Sequence, residues 1–415
     1  MSAPMKRLAF ASVAGTALEY YDFAVYNMLA ALVFNQLFFP SFDPLTGTLL
    51  AYATFAVGYA SRPFGGLLFG HLGDRHGRRF VLVVTLVMMG ITSVLIGLLP
   101  AYQSIGVWAP VLLVCLRFLQ GMALGGEWAG AVLLSLEHGD EKQRGRNASF
   151  AQMGPSIGTL IASGVLALTT LLLSQEELLA WGWRVPLLLS VVLVIFGLWL
   201  RMGVSETPQF RELEQRGARV RAPLVEILRN HWRGLLVGGG ARFGPDVLYS
   251  LVAVFSLTYV TTILGLPRTL AITALSIGAA VNAVLIPVSG VLSDRFGRRR
   301  VYGVGVALGL AWVWLLFPLW DSKLEWAIVL AIVTGLAIHA VMYGPQAAFI
   351  AEQFPTPVRY AGASLAYTLA GVFAGGIAPL AFTALYRSFG TGAVVAAYAT
   401  GALLLTALAL KWKRA

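Results

Sequence analysis

Cysteine is almost absent. Cys115 is the only one and lies inside an apolar run, so disulfides and cysteine-based metal sites are excluded. Charge is scarce too, at 12% of residues against 58% hydrophobic. No G-x-x-x-x-G-K-[ST] phosphate loop occurs, the histidines show no metal-ligand spacing, and no nucleophile and base stand at workable spacing. These gaps argue against a nucleotide-driven pump and against a membrane enzyme, and no cofactor or metal is expected. What the chain has in excess is apolar length: its mean hydropathy is +0.76 over 415 residues, well beyond soluble domains.

An all-α membrane protein follows. Apolar runs of about 20 residues, enough to cross a ~30 Å hydrocarbon core, recur along the whole chain. Twelve transmembrane helices are read, at 9–34, 47–71, 80–99, 108–136, 147–173, 184–202, 234–264, 269–292, 301–320, 326–351, 359–386 and 391–411. The first follows Lys6 and Arg7 as a secretory signal would, but it contains Glu19 and Asp22 and no cleavage site follows, so it is read as a membrane helix. With both termini cytoplasmic, 23 of the 30 Lys and Arg residues fall on the cytoplasmic side, while Arg184, Arg268, Lys323 and Arg387 fall outside. That asymmetry is the one positive-inside insertion requires. The net charge of +11 is therefore assigned to topology rather than to nucleic acid. A monomeric, multi-pass protein of the cell inner (plasma) membrane is expected, with the lipid bilayer as its surroundings.

The chain is written twice. "GHLGDRHGRR" from Gly70 returns as "GVLSDRFGRR" from Gly290, between helices 2 and 3 and again between helices 8 and 9. Glu137, Arg144 and Ser149 echo as Glu352, Arg359 and Ser364, each pair 215 residues apart. The reading is an N-terminal six-helix half (1–202), a cytoplasmic linker (203–233) and a C-terminal six-helix half (234–415). Parallel halves of this kind are a known transporter architecture, with the substrate site between them near the midplane.

The paired arginine-rich blocks across six plus six helices resemble the loop signature of the major facilitator superfamily. "EYYDFAVY", "GYASRPFGG", "RFLQGMALGGEWAGA", "WGWRVPLLLS" and "RMGVSETPQF" are similar to the metabolite:proton symporter family within it, over nearly the whole chain. The blocks read either as solvated loops that only fix orientation or as a conformational latch, the reading the resemblance also implies. In the latch, Gly70, Gly77, Gly290 and Gly297 allow close approach and turning. Asp74 and Asp294 accept hydrogen bonds at a helix N-terminus or pair with Arg144 or Arg359, and Arg75, Arg78, Arg295 and Arg298 complete the set.

Seven ionisable residues fall within the membrane segments: Glu19, Asp22, Arg62, Arg117, Glu127, Arg242 and Asp246. Each costs about 2.5–3.5 kcal/mol at the bilayer centre, so each marks a functional hypothesis. Glu19, Asp22 and Tyr26 follow i, i+3, i+7, and Arg242, Asp246 and Tyr249 follow i, i+4, i+7, on the matching first helices of the two halves. Both stripes are expected to face one central cavity. Pro245, between Arg242 and Asp246, is expected to kink its helix. Arg117, Gln120 and Glu127 share a face of helix 4, whose Gly121, Gly125 and Gly126 are assigned to close packing. His339, Tyr343 and Gln346 share a face of helix 10, where the histidine is either a structural hydrogen bonder or a donor to a substrate hydroxyl.

Four acids against three arginines leave one acid unpaired, and a carboxyl that alternates between an apolar and an arginine-rich environment binds and releases a proton. Asp22, Glu19 and Glu127 are the candidates, in that order; the resemblance associates Arg117 with the same coupling. Arg62, Arg117 and Arg242 are candidate carboxylate clamps. The expected function is proton-coupled symport of a small organic anion. The resemblance implies a hydroxylated ring carboxylate of the shikimate type or a dicarboxylate, with a betaine-like zwitterion, a uniporter or an exporter as alternatives. A sensor that binds the same ligand without moving it would carry the same cavity.

Overall fold

The computed structural model describes residues 3–76, 78–125, 128, 132, 136, 143–202, 223–355 and 358–412. Among these there is no β-strand, as expected of a chain whose backbone must satisfy itself within lipid. Helix α1 runs as Ala3–Leu29, a π-turn at Ala30–Phe34 and Asn35–Phe38; α2 is Pro44–Ala60 and Arg62–His76, separated by Ser61 alone. Then come α3 (Arg78–Leu98), α4 (Trp108–Leu124, with Trp128, Val132 and Leu136 also helical), α5 (Arg144–Leu172) and α6 (Gln175–Trp199). A short helix, Pro223–Asn230, precedes α7 (Trp232–Ile263), α8 (Arg268–Phe296), α9 (Arg298–Asp321), α10 (Glu325–Ala351), α11 (Arg359–Gly371, a π-turn at Val372–Gly376, and Ala378–Phe389) and α12 (Gly392–Lys411). The helices α5 to α12 each contain a span long and apolar enough to cross a membrane.

Two elements differ from the sequence reading. The arginine-rich block is not a loop: α8 continues through Asp294 and Arg295 to Phe296, and α9 begins at Arg298. Only Gly297 intervenes, at φ +92°, where a side chain would be strained. Arg295 in the last turn of α8 suits the negative end of the helix dipole. Helix α6 also starts about nine residues earlier than expected, because Ser174 and Glu177 form a reciprocal capping box at 3.2 and 2.8 Å.

Glycine brings the rods together. Gly121 and Gly125 of α4 lie so close to Gly58 and to the Arg62 carbonyl on α2 that an added Cβ would overlap them. Gly154 and Gly158 of α5 do the same against Thr16, Ala17 and Tyr21 of α1. Pro245 in α7 cannot donate to the Ala241 carbonyl, and the Tyr302 hydroxyl of α9 fills that vacancy at 2.6 Å. Large apolar residues such as Leu172, Trp199, Trp326 and Leu408 are exposed, as a lipid-facing surface requires. Replacing Gly121 with Val should cost about 1–3 kcal/mol by overpacking. The drop is read as a lower melting temperature in detergent; Gly164→Val, where a Cβ meets nothing within 4 Å, should leave it unchanged.

Candidate functional site

The buried charges sort into two networks. Between the halves, Glu19 and Tyr20 of α1, Arg62 of α2, Trp128 beyond α4, and Tyr367 and Thr368 of α11 border a cavity of about 20 Å³, room for roughly one water. The Arg62 guanidinium lies 3.6 Å from the Tyr59 ring centre and 4.7 Å from that of Phe23. Its Nε and Nη2 are buried without a hydrogen-bond partner, an arrangement that costs free energy until an acceptor arrives. Tyr367 is the hub. Its ring stacks on Trp128 at 3.5 Å and on the Arg242 guanidinium at 3.1 Å. Its hydroxyl stands 3.2 Å from that of Tyr20 and 3.4 Å from that of Tyr343, and its carbonyl accepts from Arg242 Nη1. Arg242 also pairs with Asp246 at 2.7 Å, so this arginine is already engaged.

The second network lies inside the N-terminal half. Asp22 accepts from Ser190 of α6 and has the Ser93 hydroxyl of α3 as a neighbour. Gln120 of α4 donates to Ser93 Oγ at 2.6 Å and accepts from Arg117 Nη1. A polar chain thus runs from Arg117 through Gln120 to Ser93 beside Asp22, and no salt bridge joins Asp22 to an arginine among the described residues. The Arg117 guanidinium sits 3.7 Å from the Tyr26 ring centre and 4.7 Å from that of Phe23, and its Nε and Nη2 lack partners. Tyr26 is fully buried and bonded to Thr54. The expectation of one cavity-facing stripe on α1 therefore fails. Glu19 borders the cavity, whereas Asp22 bonds to Ser190 of α6 and Tyr26 to Thr54 of α2, because the neighbouring helices of the N-terminal half pack over the rest of that face. Phe23 stands between the networks, touched by both arginines.

In the C-terminal half, His339 lies between the rings of Tyr249 (5.1 Å) and Tyr343 (4.7 Å). Gln346 bonds to Tyr302 at 3.1 Å and to Gln152 at 3.4 Å. Four residues the sequence reading passed over lie on α5: Gln152, Ser156, Thr159 and Ser163. They bond across to Gln346, Asn282, Tyr249 and Ser276 of the other half. Their spacing, i, i+4, i+7, i+11, is a polar seam in an apolar helix, and that signal is visible in the sequence. Tyr367 had no such signal, since a lone tyrosine in an apolar helix is ordinary. Glu127 and Gly77 lie outside the described residues, as do the side chains of Asp74, Arg75 and Arg78 and the surroundings of Gly70.

Residues 8–222 match the family described as Sugar (and other) transporter, and residues 246–415 match the Major Facilitator Superfamily. The chain belongs to the major facilitator superfamily. It is 39% identical to the inner membrane metabolite transport protein YhjE of Escherichia coli over 94% of this chain and 89% of that one. It is 39% identical to the shikimate transporter of the same organism over 97% and 93%. The glycine betaine/proline/ectoine/pipecolic acid transporter OusA of Dickeya dadantii is 34% identical over 89% and 76%. Among solved structures, the E. coli xylose transporter XylE in a partially occluded inward-open form aligns with a TM-score of 0.76 at 20% identity, covering 99% of this chain and 97% of that one. The fold is the major facilitator fold of two helical halves, and the protein is a membrane transporter, not an enzyme.

Major facilitator halves enclose the substrate near the midplane and move against each other, and in this one they touch at both ends. At the arginine-rich end, Asp294 accepts from the backbone of Gly145 (2.8 Å) and Arg146 (2.9 Å) at the N-terminus of α5, where a carboxylate is favoured. Arg298 then bridges Asp294 (3.0 Å) and Glu352 (2.7 Å). Gly290 gives α8 the room to lie against Gly145 and Ser149. Arg144 opens α5, Arg295 is exposed, and Arg359 donates to the Phe354 carbonyl at 3.2 Å. At the far end, the Tyr52 hydroxyl stands 2.8 Å from that of Thr258, Tyr59 packs on Gly375 and Gly376, and Arg387 pairs with Asp43 at 3.4 Å. Asp294→Ala should loosen the basic end. With Cys115 replaced by serine, a cysteine at Thr368 should then react with a small thiol reagent about 2- to 30-fold faster, the equivalent of about 0.5–2 kcal/mol. An unchanged rate would remove Asp294 from the closure.

Proposed function

We propose that this protein is a proton-coupled symporter that imports a small organic carboxylate across the cell inner membrane, acting as a monomer with both termini in the cytoplasm. The observation that carries this reading is Arg62: a buried cation at the cavity wall with two hydrogen-bond donors unused. A carboxylate supplies the missing acceptors, and charge-assisted bonds of this kind are the strong ones. Arg242 is held by Asp246 and Tyr367, while Arg117 belongs to the polar chain that ends beside Asp22.

Asp22 is the proton carrier in this reading. It is buried, accepts from the Ser190 hydroxyl rather than from an arginine, and precedes Phe23, the ring that Arg62 and Arg117 both touch. A monoanion bound at Arg62 and a proton bound at Asp22 leave the loaded interior with the charge of the empty one, so crossing the bilayer adds no charging cost. Asp294 on α8 and its sequence counterpart Asp74 on α2 act as the latch that opens and closes the cytoplasmic side.

The relative that transports shikimate favours a hydroxylated ring carboxylate, for which the Tyr20, Tyr343 and Tyr367 hydroxyls offer partners. A zwitterion is the second reading. The stacked rings of Trp128 and Tyr367 beside Glu19 suit a quaternary ammonium, and OusA is named for glycine betaine.

Proteoliposome uptake of shikimate, succinate and glycine betaine, with and without an inward proton gradient, tests the assignment. The wild type should accumulate one of these solutes only with the gradient. Asp22→Asn should lose that accumulation while retaining exchange of the solute between the two sides. Gradient-independent uptake by the wild type would make the protein a uniporter. Arg62→Gln should raise KM for a carboxylate about 10- to 100-fold; an unchanged KM would end the role of Arg62.

A further inference from the structure

A hydrogen-bonded relay runs through Asn282. Asn282 lies on α8 and is buried to 1% exposure. Its Nδ2 donates to the Leu336 carbonyl, an atom that can only accept, so the amide's two ends are fixed. The same Nδ2 stands 3.1 Å from His339 Nδ1. A donor cannot face a donor, so Nδ1 carries no hydrogen and the ring proton resides on Nε2. At the other end of the amide, Oδ1 accepts from the Ser156 hydroxyl at 2.5 Å.

We propose that Asn282 is a positioning residue for cargo recognition: it holds His339 as an Nε2–H donor aimed at an oxygen of the substrate, and Ser156 of the opposite half holds Asn282. This rests on the transport reading above. Three observations support it. His339 is 3% exposed and packed between Tyr249 and Tyr343, and the hydrogen bond shown for its ring among the described residues is at Nδ1, which leaves Nε2 for a ligand. Tyr249 is itself tied to α5 through Thr159, at 2.8 Å. Ser156 and Thr159 belong to the N-terminal half, whereas Asn282, Tyr249 and His339 belong to the C-terminal half. The Leu336 carbonyl sets the orientation of the amide within its own half, and Ser156 and Thr159 tie the same group to α5 across the interface. A hydroxyl or carboxylate oxygen fits this donor; an alkylammonium group does not.

The full-length protein labelled with ¹⁵N-histidine and reconstituted in lipid nanodiscs reports the tautomer directly, with His339→Gln assigning the signal. The wild type should show a protonated Nε2 and a bare Nδ1. Asn282→Asp keeps the shape but replaces the donor by an acceptor, so the proton should move to Nδ1; Ser156→Ala, which leaves the Leu336 contact intact, should keep it on Nε2. A protonated Nδ1 in the wild type, or a tautomer indifferent to Asn282→Asp, overturns the proposal. In proteoliposomes given shikimate, succinate and glycine betaine, Asn282→Asp should raise KM for the transported carboxylate about tenfold with Vmax nearly unchanged. Adding His339→Gln should cost nothing further, and losses that multiply would show that the two residues act separately. If no solute is transported, the functional reading fails while the nitrogen spectra still judge the relay.

Discussion

Helix α5 is the constraint on which the rest depends. Within hydrocarbon, apolar surfaces give helices no reason to associate, so close packing and hydrogen bonds must hold them together. One face of α5 carries Gly154 and Gly158 and lets α1 approach to backbone distance. The other carries Gln152, Ser156, Thr159 and Ser163, each bonded to the opposite half. Its N-terminus receives Asp294. One helix is thereby fixed in its own half and hydrogen-bonded to the other along much of its length.

The strength of that seam suits a moving part. Interhelical hydrogen bonds in bilayers average about 0.6 kcal/mol, so four of them supply about 2–3 kcal/mol. That is enough to hold the halves in register and little enough for a bound ligand to shift the balance, since differential binding of a few kcal/mol moves a two-state equilibrium decisively. A seam of buried ion pairs would be costlier to open, and a purely apolar one would lack register.

The charges are divided along the same line. Arg242 has an acid, a carbonyl and an aromatic face and is complete without a ligand. Arg62 has aromatic faces but unmade bonds, each worth about 1–3 kcal/mol when a buried donor is left alone. Asp22 is screened from the cavity by packing, yet Phe23 touches the guanidinium on either side. A shift of Arg62 toward an anion must therefore be felt by Phe23, and through it by Arg117 and the polar chain that ends beside Asp22.

Much of this was legible in the residues themselves. Hydropathy and the repeated "SDRFGRR"-type block carried the helical rods and their pairing into halves, because membrane thickness sets a length that composition must meet. The buried ionisable residues stood out because lipid makes each one costly. The seam on α5 was also written in its spacing, but small hydroxyl residues carry no energetic alarm in a membrane helix. What the chain alone left undecided was direction. Whether Asp22 faces Arg62 or Ser190, whether Arg242 is free or held, and which nitrogen of His339 bears the proton depend on contacts between residues on different helices, 168 positions apart for Asp22 and Ser190, 125 for Arg242 and Tyr367 and 57 for Asn282 and His339. Sequence determined which groups are buried, since burial follows from apolar length. Tertiary packing decided which of them meet, since hydrogen bonds exist only at distances that the folded chain sets.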